Sequence, residues 1–74
     1  MSRLPVISGK NLCKKLGNIG YLIDHQTGSH IILRNENSPF RRLTIPNHKE
    51  IAKGTLRAII KQAGLTSDEF NNLE

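Results

Sequence analysis

YLIDHQTGSHIILR, running from Tyr21 to Arg34, places two apolar, β-prone runs on either side of Thr27-Gly28-Ser29. Bounded by turn residues, the two runs read as a β-hairpin, strand 1 from Tyr21 to Gln26 and strand 2 from His30 to Arg34. The register matters because a slip of one residue moves every side chain to the other face of the sheet. A two-residue Thr-Gly loop puts Tyr21 outside. A three-residue loop with Gly28 at positive φ puts Tyr21 and Ile23 on the buried face with Ile31 and Leu33. That second register leaves Leu22, Asp24, His30, Ile32 and Arg34 on the open face, and points His25 toward the edge of the core. It also sets Asp24 on the face of His30, where the carboxylate is a candidate orienter of the imidazole.

Before the hairpin, Ser8 reads as the N-cap of a first helix, with Ile7 and Leu12 at the two positions of a hydrophobic staple. Leu12, Cys13 and Leu16 form its inner face, Gly17 reads as its stop, and Lys10, Lys14 and Lys15 point to solvent. Beyond the looser turn NENSPFR, the residues Arg42-Leu-Thr-Ile45 alternate as a third strand with Leu43 and Ile45 inward, and Pro46 ends it. Leu56, Ile59, Ile60 and Ala63 then recur at the spacing of one helical face, and Gly64 closes that helix. Thr66 and Glu69 have the spacing of a capping box for a short last helix, with Leu65 and Phe70 as its staple. The expected fold is α+β, ordered α-β-β-β-α. It has a three-stranded antiparallel sheet, helices on one face and a short C-terminal helix, all within a single domain spanning residues 1–74.

Bulk composition narrows the partners. The 74 residues carry 11 Lys+Arg against 6 Asp+Glu, a net charge of +5. All the basic groups lie in residues 1–63, where the acids are Asp24, Glu36 and Glu50. Such a surface favours a polyanion, RNA or DNA, or an acidic protein. The lone Cys13 cannot form an internal disulfide or a cysteine-built zinc site, and its helical position suits a small buried residue. No apolar run is long enough for a signal-peptide core or a membrane span, so the expectation is a soluble, cytoplasmic protein without membrane contact.

The chemistry concentrates around His30. An imidazole with an ordinary pKa of about 6.5 takes a proton from a ribose 2′-hydroxyl and returns one to a leaving 5′-oxygen without a metal. Arg34 and Arg42 on the same face would hold the scissile phosphate. A second polar group, KGTLR, brings Lys53, Thr55 and Arg57 to a helix start, where free N–H groups and the positive dipole end suit phosphate. On the residues alone, other readings stay open: His30 as an ordinary sheet-edge residue, Thr55 as a helix starter, Lys53 and Arg57 as solubility charges. His25 reads as a packing residue and His48 as a capping or phosphate-contacting one. The three histidines lack the spacing of a metal site, and Tyr21, Phe40 and Phe70 are too few for a base-stacking platform.

Taken together, SGKNLCKKLGNIGY at residues 8–21, GSH at 28–30, LTIPNH at 43–48, KGTLRAIIKQAGL at 53–65 and EF at 69–70 resemble the HicA family of toxins. They come in that family's order and cover nearly the whole chain. The resemblance implies a fold like that of double-stranded-RNA-binding domains and a metal-independent ribonuclease that needs no cofactor and cleaves messenger RNA. Its catalytic histidine would be His30 in the Gly-Ser-His motif, with Gly28 and Ser29 among the RNA-binding positions. It also implies a HicB-type antitoxin partner covering the active face. The chain departs from the family at His25, where an arginine is frequent, and at Ile31-Ile32, where a histidine or aromatic often follows the catalytic residue; neither departure touches His30. The competing reading is a non-catalytic RNA-binding module with the same fold. A further one is a basic protein whose partner is an acidic protein alone.

Overall fold

Residues 3–73 are described in the computed structural model of the chain. They run α1 (Gly9–Gly17), β1 (Tyr21–Thr27), β2 (His30–Asn35), β3 (Arg42–Pro46), α2 (Lys53–Gln62) and α3 (Ser67–Asn71). The expected α+β order therefore holds, short last helix included. The strands form one antiparallel sheet, β1-β2-β3. Leu12 and Leu16 of α1, Leu33, Leu43 and Ile45 of the sheet, Leu56 of α2 and Phe70 of α3 meet in one core, each under 2% exposed. Burying a side chain of this size is worth about 1.5–3 kcal/mol. Helices cover one face of the sheet; the other is open.

Local chemistry sets the helix ends. The Ser8 hydroxyl accepts the Asn11 N–H at 3.1 Å and starts α1. Thr66 and Glu69 form the full capping box, with bonds of 3.1 and 2.8 Å. At the end of α2, Gly64 at φ +79 lets Leu65 N–H reach Ile60 and its own N–H reach Lys61, a Schellman motif. Gly17 differs from expectation: it is the last residue of α1, followed by Asn18 at φ −66, and the left-handed residue is Gly20 at φ +97. Chain reversal is delayed by one loop of three residues. Lys15 also departs from a purely solvated role, its ammonium lying 4.6 Å from the centre of the Phe70 ring.

The hairpin is where the structure adds most. Tyr21, Leu22 and Ile23 pair with Asn35, Arg34 and Leu33, as a three-residue loop requires, yet the loop is two residues, Gly28-Ser29, with Thr27 paired to His30. Gly28 takes φ +53, the left-handed first position of a type II′ turn. The register shift between Ile23 and His25 reconciles the two halves, because Asp24 is an extra residue bulged out of β1. Two consequences correct the expectation. His25 pairs with Ile32 instead of Ile31 and so lies on the open face, not toward the core. Ile23 keeps the core-side parity of Leu33 but is 63% exposed on the edge strand.

Candidate functional site

One end of the sheet gathers most of the polar residues singled out above. The Ser29 carbonyl accepts the Asn47 N–H at 2.7 Å, which ties the β1–β2 turn to the chain leaving β3. His30 opens β2, exposed, between Thr27 on one side and Pro46 on the other. The chain then turns back under α1. Gly9 N–H donates to the His48 carbonyl at 2.9 Å, and Ile51 N–H donates to the Ile7 carbonyl at 2.9 Å. Gly9 is required at that contact, since a Cβ there would stand 2.2 Å from the Pro46 carbonyl oxygen. The Gly-Ser turn, His30, the end of β3 and the N-termini of both long helices thus share one end of the molecule.

That end is electropositive by construction. Neither α1 nor α2 carries an acid in its first turn, and Ala52, at the N-cap of α2, offers no side-chain cap. In α1 the Gly9 and Asn11 N–H groups are taken by the His48 carbonyl and the Ser8 hydroxyl, so the open N–H groups stand mainly at the start of α2, and neither positive dipole end faces an acid of its own first turn. Lys53 and Thr55 are the first and third residues of α2, both exposed, and Arg57 follows Lys53 on the same exposed face one turn on. Thr55 does not cap. Ser8, Lys10, Asn47, His48 and Lys49 line a shallow cleft beside the start of α1; Glu50 is the acid of this connection.

The remaining predicted residues form a second group farther along the open face. Arg34 and Arg42 are direct cross-strand neighbours, and like charges so placed repel. Asp24 relieves this: its carboxylate lies 3.8 Å from the Arg42 Nη2 and 4.0 Å from the Arg34 Nε. The shortest contact of Asp24 is with His25, whose Nδ1 donates to Oδ2 at 2.7 Å; an ionised carboxylate only accepts, so the proton lies on Nδ1. That hydrogen bond, and behind it the charges of His25, Arg34 and Arg42, hold the Asp24 carboxyl below its ordinary 3.8 against a smaller rise from lost hydration. Asp24 stands three residues before Thr27, the partner of His30, about 10 Å along the strand. The expected Asp24–His30 pairing is thus replaced by Asp24–His25.

Sequence reasoning missed the placement of His25, although Gly28-Ser29 is itself a two-residue hairpin signal that would have moved the parity near the turn. It also left Lys10 on a solvated face and gave Asn47 and Lys49 no role of their own, because the three meet only through the docking of α1 onto the end of β3. Buried Cys13, its thiol pushed up by loss of hydration, stands apart from both groups. Among the described residues no helix is long and apolar enough to cross a membrane. In comparison with known proteins, the model of the family described as HicA toxin of bacterial toxin-antitoxin matches residues 9–65, from the first residue of α1 to the end of the α2 cap. No curated protein matches the chain.

Proposed function

The chain belongs to the HicA family of toxins from bacterial toxin–antitoxin systems, and from that premise we propose that it is an endoribonuclease that cleaves messenger RNA with His30 as its catalytic base. The observation that carries this reading is the exposed imidazole directly behind a left-handed Gly-Ser turn, beside two helix N-termini free of acids. In the proposed reaction His30 takes the proton of a ribose 2′-hydroxyl, and the 2′-oxygen attacks the adjoining phosphorus. The Gly28–Ser29 turn and the Lys53–Thr55 start of α2 hold flanking phosphates, with Arg57 extending that grip. Arg34 and Arg42 bind the RNA backbone farther along the open face. No metal or cofactor is invoked.

A toxin of this family works against an antitoxin, and a HicB-type antitoxin that covers the open face and the His30 end is the proposed partner. Basic charge on this end gives such a protein an acidic complement to match. The test is cleavage of a mixed single-stranded RNA by wild type and His30→Ala, side by side, with a chelator present. Cutting by wild type, with at least a hundredfold loss in a folded His30→Ala, is the expected result. Binding of RNA by both without cutting by either would make the chain a non-catalytic RNA-binding module instead. His30 is exposed, so the substitution should change stability by less than about 0.5 kcal/mol; a variant that unfolds would contradict the placement.

A further inference from the structure

A single imidazole leaves half of the reaction without a dedicated group. In an in-line displacement the attacking 2′-oxygen and the leaving 5′-oxygen lie on opposite sides of phosphorus. One ring would have to serve both in turn. The open face holds a second imidazole within range. Thr27 pairs with His30, and His25 is two residues from Thr27 on β1, so His25 and His30 are diagonal neighbours on one face. Such positions lie about 7–8 Å apart, a span that lets two rings flank one phosphodiester group, each within hydrogen-bond reach of a different oxygen.

Resting on the ribonuclease reading above, we propose that His25 is a second catalytic residue, the general acid that protonates the leaving 5′-oxygen, and that Asp24 is its positioning residue. The bulge at Asp24 makes this arrangement. It brings His25 to the open face and leaves the carboxylate beside the ring, where Oδ2 accepts from Nδ1 at 2.7 Å. With Nδ1 engaged, Nε2 is the nitrogen left to carry a transferable proton, and the carboxylate complements the charge of the imidazolium. Among the described residues no acid is in hydrogen-bond or ion-pair contact with His30, which suits it to the base role.

Other groups around His25 support the same division. Ile32, its cross-strand partner, and Thr44, next on β3, are uncharged. The charged side chains near the dyad are Arg34 and Arg42, both against Asp24. They keep the carboxylate ionised and balance its charge where a phosphate must approach.

The step balances. The 2′-hydroxyl proton passes to His30 as the 2′-oxygen bonds to phosphorus. The bond from phosphorus to the 5′-oxygen breaks with its electron pair on oxygen, which takes the Nε2 proton of His25. A 2′,3′-cyclic phosphate and a 5′-hydroxyl result, and proton exchange with water restores both rings.

A sulfur in place of the bridging 5′-oxygen tests this, because a thiolate leaves without an acid. The wild type first locates a cut site in a mixed RNA; oligoribonucleotides with oxygen or sulfur at that linkage are then given to wild type, His25→Ala, Asp24→Asn and His30→Ala. His25→Ala should lose about 10²–10⁴-fold on the oxygen substrate and return to within about tenfold of wild type on the sulfur one. Asp24→Asn should show a smaller loss, relieved in the same way, and His30→Ala should stay slow on both. Wild-type rates for His25→Ala on the oxygen substrate, or an equal deficit on both substrates, would overturn the assignment while leaving His30 intact. Relief by sulfur in His48→Ala instead would move the acid to His48 and overturn it too. A wild type that cuts no RNA overturns the ribonuclease reading, and this inference with it.

Discussion

Replacing Gly9 with alanine should destabilise the protein, although alanine is the better helix former. The added Cβ would lie 2.2 Å from the Pro46 carbonyl oxygen and 3.0 Å from the Asn47 Cα, both backbone atoms. An ordinary carbon–oxygen contact needs roughly another ångström, so the start of α1 must retreat by about that much. The same displacement would stretch the bond from Gly9 N–H to the His48 carbonyl, now 2.9 Å, past the limit of a hydrogen bond. Overpacking costs about 1–3 kcal/mol and a lost hydrogen bond about 0.5–1.5 kcal/mol. Alanine returns at most about 1 kcal/mol of helix propensity. The net expectation is a loss of about 1–3 kcal/mol, a fall in melting temperature of roughly 5–20 °C for a domain of this size.

Urea unfolding followed by circular dichroism measures this directly, with a lower midpoint at unchanged slope as the expected signature. Gly17→Ala is the internal control, because a Cβ there meets nothing within 4 Å and its φ is not left-handed. It should be neutral or stabilising by up to about 1 kcal/mol. If Gly9→Ala matched Gly17→Ala, the close docking of α1 on the end of β3, and with it the shared end that holds His30, would be refuted.

Three more expectations concern single side chains. The Tyr21 hydroxyl is buried with no partner among the described residues, so Tyr21→Phe should hold or raise stability by about 1 kcal/mol; a loss above 1 kcal/mol would mean that the hydroxyl is bonded. Asp24 has its folded pKa lowered from 3.8, so its contribution is present above that value and is lost as pH falls through the lower folded one. Melting temperatures at pH 5 and pH 2 should therefore show wild type and Asp24→Asn converging in acid, and a constant difference would contradict the His25 and arginine contacts. Arg42→Ala should weaken RNA binding and reduce the slope of log affinity against log salt by about one. Unchanged affinity would remove Arg42 from the RNA-facing surface.

Which features could be read from the chain follows from how local their causes are. Ser8, Thr66 with Glu69, and Gly64 act within one helical turn, and the structure shows their caps as the pattern implied. Leu43 and Ile45 faced inward as their alternation required. His25 was misplaced because its face depends on a bulge one residue away and on the length of a turn two residues beyond, two errors of parity that cancel for Tyr21 but not for His25. Gly9 shows the same limit. As a helix residue it looks unfavourable, and its purpose is visible only once Pro46 and Asn47 are packed against it. The site follows suit: the Gly-Ser-His run is local and legible, whereas its neighbourhood of Asn47, His48, Lys10 and the start of α2 exists only in three dimensions.

In the proposed reaction the imidazole at the mouth of β2 activates a ribose 2′-hydroxyl. The most direct measurement is cleavage by the wild-type protein of two oligonucleotides identical except for a single 2′-deoxy sugar on the 5′ side of the cut linkage, with the product ends identified. Cleavage of the all-ribose strand to a 2′,3′-cyclic phosphate and a 5′-hydroxyl, with the deoxy-substituted linkage left intact, is the predicted result. Equal cutting of both strands would show that no 2′-hydroxyl is used, and would contradict the role given to His30.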